Sequence, residues 1–198
     1  MKKAVFIGII IVVFILAKVF LFSSKNESLN PLSENSNSIQ SMIISSPSFN
    51  NNTKIPPKFT CDGGNINPEL QIQNVPPEAK SLALIMDDPD AVGGKTFTHW
   101  LVWNIDPKTE NIKQESVPTG VKENLSFPSA EEGWNDTDKV GYLGPCPPDK
   151  KPHRYFFKLY ALDFVIGPTE ALPKKEGLEE MMKNHIVEKA ELIGIYER

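Results

Sequence analysis

Residues 81–105 read SLALIMDDPDAVGGKTFTHWLVWNI, and this stretch decides the fold class. Its first part, Ser81–Met86, is a continuous apolar run, which is typical of a strand that is buried on both faces. Its last part, His99–Ile105, is rich in aromatic and β-branched residues and predicts a second strand. The aspartates and Pro89 between the two runs favour a turn. The stretch therefore predicts two β-strands joined through a polar turn.

Three further segments outside this stretch also predict strands. Met42–Ser45 is a short apolar run that ends at Ser46-Pro47. Arg154–Leu162 is rich in aromatic residues and has turn-forming residues on both sides. Glu191–Tyr196 is interpreted as a closing strand. The chain is therefore predicted to be a mostly β, largely antiparallel protein.

Helices are restricted by the 17 prolines of the chain. Proline interrupts the helical hydrogen-bond ladder, so long helices are excluded where prolines cluster. One helix is still predicted over Glu176–Ala190, after an entry that contains Pro173. Its apolar residues recur at helical spacing; they are Leu178, Met181, Met182, Ile186 and Val187.

Composition and charge restrict the function. The 198 residues are 40% hydrophobic, which excludes a wholly disordered chain and suits one domain with an appendage. Residues 1–41 hold four lysines and two glutamates, which gives them a net charge of +2. Since the whole chain has a net charge of −4, residues 42–198 carry a net charge of −6. A domain at −6 lacks the basic field that binds nucleic acid without regard to sequence. Nucleic acid is therefore not expected as a partner.

The first 22 residues have the composition of a targeting or membrane segment. Lys2 and Lys3 precede the apolar run Ala4–Ala17, and the apolar character continues past Lys18 to Phe22. The run has the length of a signal-peptide core, and extended to Phe22 it is long enough to cross a bilayer of about 30 Å. Three interpretations stay open for residues 1–22: an uncleaved membrane anchor, a cleaved signal, and a buried helix of the domain.

Residues 23–41 are rich in Ser and Asn and have almost no apolar periodicity, which predicts a flexible linker. The basic N-terminus favours an inside start, so the domain at residues 42–198 is expected outside the cytoplasm. The localisation is then membrane-anchored on the extracytoplasmic side, or secreted or periplasmic if the signal is cleaved. The membrane is an expected partner through the N-terminal segment.

Candidate site residues cluster in three short motifs. His99 and His153, two of only three histidines, each open a predicted strand, and Asp87–Ala91 and Gly144–Pro148 are polar or proline-rich turns. If both strands start at the same edge of one sheet, the two imidazoles meet the carboxylates and form a small anion site. Taken singly, each histidine is equally well explained by a structural hydrogen bond, and Asp88-Pro89-Asp90 by a turn.

Five motifs occur in this order along the chain: Phe59-Thr-Cys-Asp-Gly63, Asp87-Asp-Pro-Asp-Ala91, Phe97-Thr-His-Trp100, Gly141-Tyr-Leu-Gly-Pro-Cys-Pro-Pro148 and His153-Arg-Tyr-Phe-Phe157. Together they closely resemble the phosphatidylethanolamine-binding protein family, in its bacterial and archaeal branch that is often called Raf-kinase-inhibitor-like. The ending Glu191-Leu-Ile-Gly-Ile-Tyr-Glu197 is similar as well. The resemblance covers about Met42 to Arg198.

The resemblance implies an antiparallel β-sandwich with a C-terminal helix, short peripheral helices and a small anion pocket. Carried over position by position, the ligand-binding residues are Asp88, His99, Pro148, His153 and Tyr155. The loop-organising residues are Asp90, Gly144, Cys146 and Arg154. Asp88 is expected to orient a histidine or to meet a ligand's ammonium group, and the Gly144–Pro148 segment to supply backbone donors. Arg154 is expected to brace loops on the opposite face. No catalytic residue, metal or cofactor is implied.

The two cysteines, Cys61 and Cys146, each lie in one of these motifs. A pair of cysteines outside the cytoplasm is compatible with a disulfide. Two buried free thiols are an equally open interpretation, because the sequence does not show whether the two Cα atoms lie within the range of about 4.4–6.8 Å that a disulfide needs.

Three function classes remain. The leading hypothesis is non-enzymatic binding of a small anionic ligand, bearing phosphate or carboxylate, such as a phospholipid headgroup. The second is an interaction module that inhibits a kinase or a protease and is regulated through the same pocket, with a target protein that the sequence does not identify. The third is a hydrolase with His99 or His153 as base and Asp88 as orienting carboxylate; it lacks an evident nucleophile, and no Gly-x-Ser-x-Gly turn, HExxH or P-loop is present.

Overall fold

The computed structural model describes residues 40–115, 130–167 and 169–198 of the chain. The strands are β1 (Ile43–Ser45), β2 (Thr53–Lys54), β3 (Leu70–Gln73), β4 (Ser81–Asp88), β5 (Phe97–Ile105), β6 (Asn111–Ile112), β7 (Glu131–Glu132), β8 (His153–Leu162) and β9 (Ile186–Tyr196). A single turn of 3₁₀-helix spans Pro57–Phe59, and an α-helix, α1, spans Lys175–Met182.

The strands form two sheets. One has three strands in the order β1-β3-β6, and the other has six in the order β2-β9-β8-β4-β5-β7. Strand β4 lies inside the larger sheet and pairs antiparallel with both β5 and β8. All eight of its residues are buried, as the continuous apolar run of the sequence predicts. The mostly β, largely antiparallel fold class is confirmed.

Two hydrophobic clusters lie on opposite faces of the large sheet. Because side chains alternate along a strand, Leu82, Leu84 and Met86 join the cluster that packs against the small sheet. Ala83 and Ile85 point the other way, into a cluster that helix α1 covers. The helix contributes its buried face to this second cluster, through Leu178 and Met182. The two covered faces explain why β4 is apolar without interruption from Leu82 to Met86.

A buried carboxylate joins the start of helix α1 to the sheet. The side chain of Asp87 is fully buried, and its Oδ2 accepts a hydrogen bond of 2.6 Å from Lys175 Nζ. Lys158 Nζ of β8 lies 3.0 Å from the other oxygen, Oδ1. A buried charge requires such partners, because water no longer solvates it. Asp87 therefore serves the fold on the face of the sheet opposite to its neighbour Asp88.

The predicted helix over Glu176–Ala190 is too long at its C-terminal end. Helix α1 ends at Met182, and Asn184 has a φ of +66°, in the left-handed region where an α-helix does not continue. From Ile186 onward the chain pairs with β8, with one register shift between Ile186 and Glu188. The apolar residues at 186 and 187 fit both a helix and a strand, and the backbone hydrogen bonds that β8 offers decide for the strand. Helix α1 thus precedes the last strand.

The N-terminal predictions lie largely outside the described residues. The anchor or signal segment at 1–22 and nearly all of the linker at 23–41 belong to residues 1–39, which the structure does not describe. Within the described ranges, no helix has both the length and the apolar character that a membrane crossing requires.

Truncating Leu178 tests the packing of helix α1. Leu178 is completely buried, so Leu178→Ala removes methyl groups from a packed cluster and should lower the free energy of unfolding by about 2–5 kcal/mol. Leu172→Ala is the matched control, since Leu172 is 37% exposed and should cost less than about 1 kcal/mol. Guanidinium chloride unfolding measures both values. Equal losses for the two variants would contradict the placement of the helix.

Candidate functional site

The antiparallel pairing of β4 brings both histidines to one edge of the sheet. Because β5 and β8 each run antiparallel to β4, both begin where β4 ends. Asp88 pairs with Phe97 at the start of β5, and Asp87 pairs with Phe156 near the start of β8. His99 and His153 therefore lie on either side of the carboxyl end of β4. This is the arrangement on which the predicted anion site depends.

A cavity of about 430 Å³ lies at this edge. All five residues predicted to bind ligand line it: Asp88, His99, Pro148, His153 and Tyr155. Most of its remaining wall is apolar, and includes Ala91, Val92, Phe97, Leu143 and Pro147. The cavity therefore has a polar end, built from the two histidines and Asp88, and an apolar wall beside it.

His153 is held between two carboxylates. Its Nδ1 lies 2.7 Å from Asp88 Oδ2, and its Nε2 lies 3.1 Å from Asp149 Oδ1. Burial lowers the pKa of His153, but the hydrogen bonds and charges of Asp88 and Asp149 outweigh this and raise the pKa above its ordinary value. Since carboxylate oxygens only accept, both ring nitrogens donate here, and His153 is an imidazolium.

Asp88 is fully engaged within the protein. While its Oδ2 accepts from His153, its Oδ1 accepts the backbone N–H of Asp90 at 2.8 Å. Of the two roles expected for Asp88, the structure places it as the partner that orients a histidine. The same carboxylate also shapes the turn that follows β4.

Asp90 and Arg154 form an ion pair outside the cavity. The guanidinium group of Arg154 donates to both oxygens of Asp90, from Nε and Nη2, each at 2.8 Å. The Arg154 hydrogen bond lowers the pKa of Asp90 to about 2. Arg154 does not line the cavity, because it follows His153 on the strand and points to the other face. The pair ties the turn after β4 to the first residues of β8.

His99 is in a different state from His153. Its Nδ1 lies 2.7 Å from the carbonyl oxygen of Leu143, which only accepts, so Nδ1 carries a proton. Burial lowers the pKa of His99, and the hydrogen bond to Leu143 offsets only part of this effect. His99 is therefore neutral near pH 7, with the lone pair on Nε2. It becomes a second cationic donor when the pH falls below its pKa.

Tyr155 links the two imidazoles. Its ring packs edge-on against His99, with centroids 5.2 Å apart, and stacks with His153 at 6.5 Å. The side chain is almost completely buried, and burial followed by the charge of Asp88 raises the pKa of its hydroxyl group far above the ordinary range. Tyr155 thus stays a neutral phenol that holds the spacing between the histidine rings.

A disulfide closes one wall of the cavity. Cys61 and Cys146 are bonded, with Cα atoms 5.5 Å apart, which decides between the two interpretations left open by the sequence. The bridge attaches the proline-rich segment Gly144–Pro148 to the loop after the 3₁₀-helix. Gly144 leaves no space for a side chain, since a Cβ there would lie 2.5 Å from the carbonyl oxygen of Phe59.

The Gly144–Pro148 segment, which was expected to supply backbone donors, has few amide groups available for a ligand. The N–H of Gly144 is donated to Asn65 Oδ1 at 2.7 Å. Pro145, Pro147 and Pro148 have no N–H, so Cys146 holds the only remaining amide. The segment therefore contributes mainly rigid apolar surface to the cavity, and the side-chain donors that line it include the two histidines and the hydroxyl group of Tyr155.

Two residues of the site were missed in the sequence. Asp149 contacts His153 across a proline-rich loop, and Asn65 holds the amide of Gly144. Asp149 precedes His153 by four residues, a spacing at which a loop is able to turn back on itself, and this was the available signal. Asn65 has no comparable signal, because it lies 79 positions from its partner.

The sequence of the domain is similar to that of a known family. The family profile described as phosphatidylethanolamine-binding protein matches residues 45–197. A UPF0098 protein of Methanothermobacter thermautotrophicus is 46% identical over 158 residues, covering 79% of this chain and 99% of the relative. A UPF0098 protein of Chlamydia muridarum is 40% identical over 161 residues, with 79% and 99% coverage.

Solved structures agree with the sequence comparison. A crystal structure of a phosphatidylethanolamine-binding protein homologue from Chlamydia trachomatis superimposes with a TM-score of 0.71 at 38% identity, covering 80% of this chain and 98% of that chain. YbcL of Escherichia coli, described as a member of the mammalian family, superimposes with a TM-score of 0.72 at 27% identity, covering 80% and 99%. The sandwich architecture expected for the family is thus confirmed.

Reducing the disulfide should destabilise the domain. The bridge joins positions 85 residues apart, so breaking it releases a long loop in the unfolded chain and should lower the free energy of unfolding by about 4 kcal/mol. Denaturant unfolding with and without reductant measures this difference. The variant Cys61→Ser with Cys146→Ser is the control and should be insensitive to reductant. A reductant effect of the same size in that variant would refute the assignment.

The environment of His153 should make stability depend on pH. A histidine whose folded pKa is raised stabilises the fold fully below its ordinary value of 6.5, and this contribution is lost as the pH rises through the higher folded pKa. The free energy of unfolding of the wild-type protein should therefore fall relative to that of His153→Gln as the pH increases above 6.5. Urea unfolding across pH 6–8.5 tests this, and parallel curves for the two proteins would contradict it.

Proposed function

The chain belongs to the phosphatidylethanolamine-binding protein family, and from that premise we propose that its cavity binds a small ligand bearing a phosphate or carboxylate group, without chemical turnover. The observation that carries the proposal is the presence of two imidazoles, from His99 and His153, at the polar end of one cavity. Charge-assisted hydrogen bonds from imidazolium groups suit phosphate and carboxylate oxygens.

The apolar wall supports a ligand with carbon atoms next to its anionic group. Val92 is 64% exposed at the cavity, and Phe97 and Leu143 also line it. Burying such surface against a ligand's aliphatic part adds about 25 cal/mol per Å², which a bare ion does not gain. A headgroup-like molecule fits this combination of a polar end and an apolar side.

A hydrolase is less well supported by the same geometry. His153 has the orienting carboxylate, Asp88, but both of its ring nitrogens donate, so it is already protonated and does not accept a proton. His99 has a free lone pair but is oriented by the carbonyl group of Leu143. Neither cysteine of the cavity wall is a nucleophile, because both are in the disulfide.

The inhibitor hypothesis stays a prediction that a pull-down with and without ligand would test.

We also propose that the domain works outside the cytoplasm, tethered or released. The disulfide between Cys61 and Cys146 supports this, because structural disulfides persist in oxidising compartments. The apolar segment at residues 1–22 is consistent with such a location. Mass determination of the mature N-terminus distinguishes an anchor from a cleaved signal.

The state of His99 predicts how binding depends on pH. Sulfate is a suitable probe, since its charge stays constant between pH 7 and 5.5. Protonation of His99 adds a cationic donor, so sulfate affinity should rise as the pH falls, by at most about tenfold per pH unit, the slope for one coupled proton. Calorimetric titration measures the affinity at both pH values.

Variants identify the group that titrates. His99→Gln should bind sulfate with an affinity that changes little with pH. His185→Gln is the control, because His185 is exposed and pairs with Asp163 away from the cavity. Sulfate binding to this variant should depend on pH in the same way as binding to the wild type. Equal wild-type affinity at pH 7 and 5.5 would exclude His99 as the titrating donor.

The source of the anionic group is tested by comparing three probes. Inorganic phosphate, phosphorylethanolamine and vesicles containing phosphatidylethanolamine each present a phosphate group, as the free ion, as a monoester and as a membrane-bound diester. We expect phosphorylethanolamine to bind more tightly than inorganic phosphate, because its ethylene group contacts the apolar wall. Binding of vesicles alone would indicate recognition of a membrane surface, and binding of none of the three would refute the proposed function.

A further inference from the structure

The second carboxylate at His153 occupies a position that the ligand needs. His153 is buried, and its Nδ1 is committed to Asp88, whose two oxygens both have partners inside the protein. The one ring nitrogen left for an anion is Nε2, and Asp149 Oδ1 already accepts its hydrogen at 3.1 Å. His153, at the polar end, therefore has two carboxylates as partners, of which Asp88 lines the cavity and Asp149 lies behind its wall, and this balance opposes a further negative charge.

The contact with Asp149 is the weaker and more exposed of the two. It is 3.1 Å long, against 2.7 Å for the contact with Asp88. The side chain of Asp149 is 29% exposed, whereas that of Asp88 is 5% exposed. Exposed ion pairs contribute little to stability. Replacing the contact between Asp149 and His153 by a ligand therefore costs less free energy than replacing the contact between Asp88 and His153.

Asp149 also has a second partner that it keeps when it leaves His153. Its Oδ1 accepts the backbone N–H of Lys151 at 3.1 Å, and Lys151 Nζ lies 3.7 Å from Oδ2. The loop that carries both residues is short and lies between Pro148 and Pro152. The carboxylate of Asp149 therefore has partners in Lys151 besides its contact with His153.

We propose that Asp149 is an internal competitor for the anion position at His153, and that it favours ligands in which a cationic group lies next to the anionic one. This inference rests on the proposed function and specifies how the same site selects its ligand. A simple anion must displace Asp149 and then remain near its negative charge. A zwitterion displaces the carboxylate too, but its cationic group is attracted to the released Asp149.

The test compares two probes in variants at position 149. At pH 7, Asp149→Asn keeps the shape of the side chain and removes the competing charge, so inorganic phosphate should bind about tenfold more tightly than to the wild type. The affinity for phosphorylethanolamine should increase clearly less, because the variant also loses the attraction between Asp149 and the ammonium group of this ligand. Asp149→Ala should show the same pattern. Calorimetric titration gives all the affinities.

A matched control uses the other Asp–His pair of the described residues. Asp163 and His185 form an exposed pair at 2.8 Å, away from the cavity. Asp163→Asn should leave the affinity for both probes unchanged. Histidine NMR checks that the variant removes the intended contact, since the pKa of His153 should fall in Asp149→Asn and stay unchanged in Asp163→Asn. The difference in gain between the two probes is the readout that a purely structural role would not produce.

The outcomes separate this inference from the proposed function. If the wild type binds phosphate and Asp149→Asn binds it no more tightly, the competitor role is refuted and the binding function stands. If both probes gain equally in Asp149→Asn, the preference for a neighbouring cation is refuted. If neither probe binds to the wild type or to either variant, the proposed function itself fails.

Discussion

The buried ion pair between His153 and Asp88 is the interaction on which the rest of the site depends. It joins the start of β8 to the end of β4, and both side chains are at least 95% buried. A charge in such a place is tolerated only with its partner present, so removing either residue leaves an uncompensated charge. The second oxygen of Asp88 shapes the following turn, and Asp90 in that turn holds Arg154. One carboxylate thereby positions the histidine, the turn and the strand start together.

The two histidines differ because their partners differ. His153 faces two carboxylates and is held as a cation, whereas His99 faces the carbonyl group of Leu143 and is kept neutral by burial. The site therefore combines one imidazole whose positive charge is stabilised to higher pH with one that gains its charge only at lower pH. Two identical imidazoles would not provide this combination, and it follows from neighbours that lie on β4, on the loop before β8 and on the loop that contains Leu143.

The cavity combines rigid and exchangeable parts. The disulfide, the prolines of the 144–148 segment and the absence of space at Gly144 restrict one wall to a single conformation. Asp149 lies directly after this wall, on a loop where its Oδ1 contacts both His153 Nε2 and the backbone N–H of Lys151. A rigid wall lowers the entropic cost of binding, and an exchangeable carboxylate sets which charges are accepted. The two properties come from adjacent residues of one loop.

The sequence alone indicated the central strands β4, β5 and β8 and the positions of His99 and His153 near strand starts, because a continuous apolar run such as 81–86 is a local pattern. It did not indicate the short strands β2, β3, β6 and β7. It did not determine where helix α1 ends, since the apolar residues after Met182 fit a helix as well as a strand and pairing with β8 decided between them. It also did not determine the disulfide or the contact of Asp149 with His153. Nor did it determine that Asp87 pairs with Lys175 on one face of the sheet while Asp88 lies at the cavity. These depend on distances between residues far apart in the chain or on the face to which a side chain points. Only the packed tertiary structure sets them, because each requires a partner that folding brings within hydrogen-bonding or bonding distance.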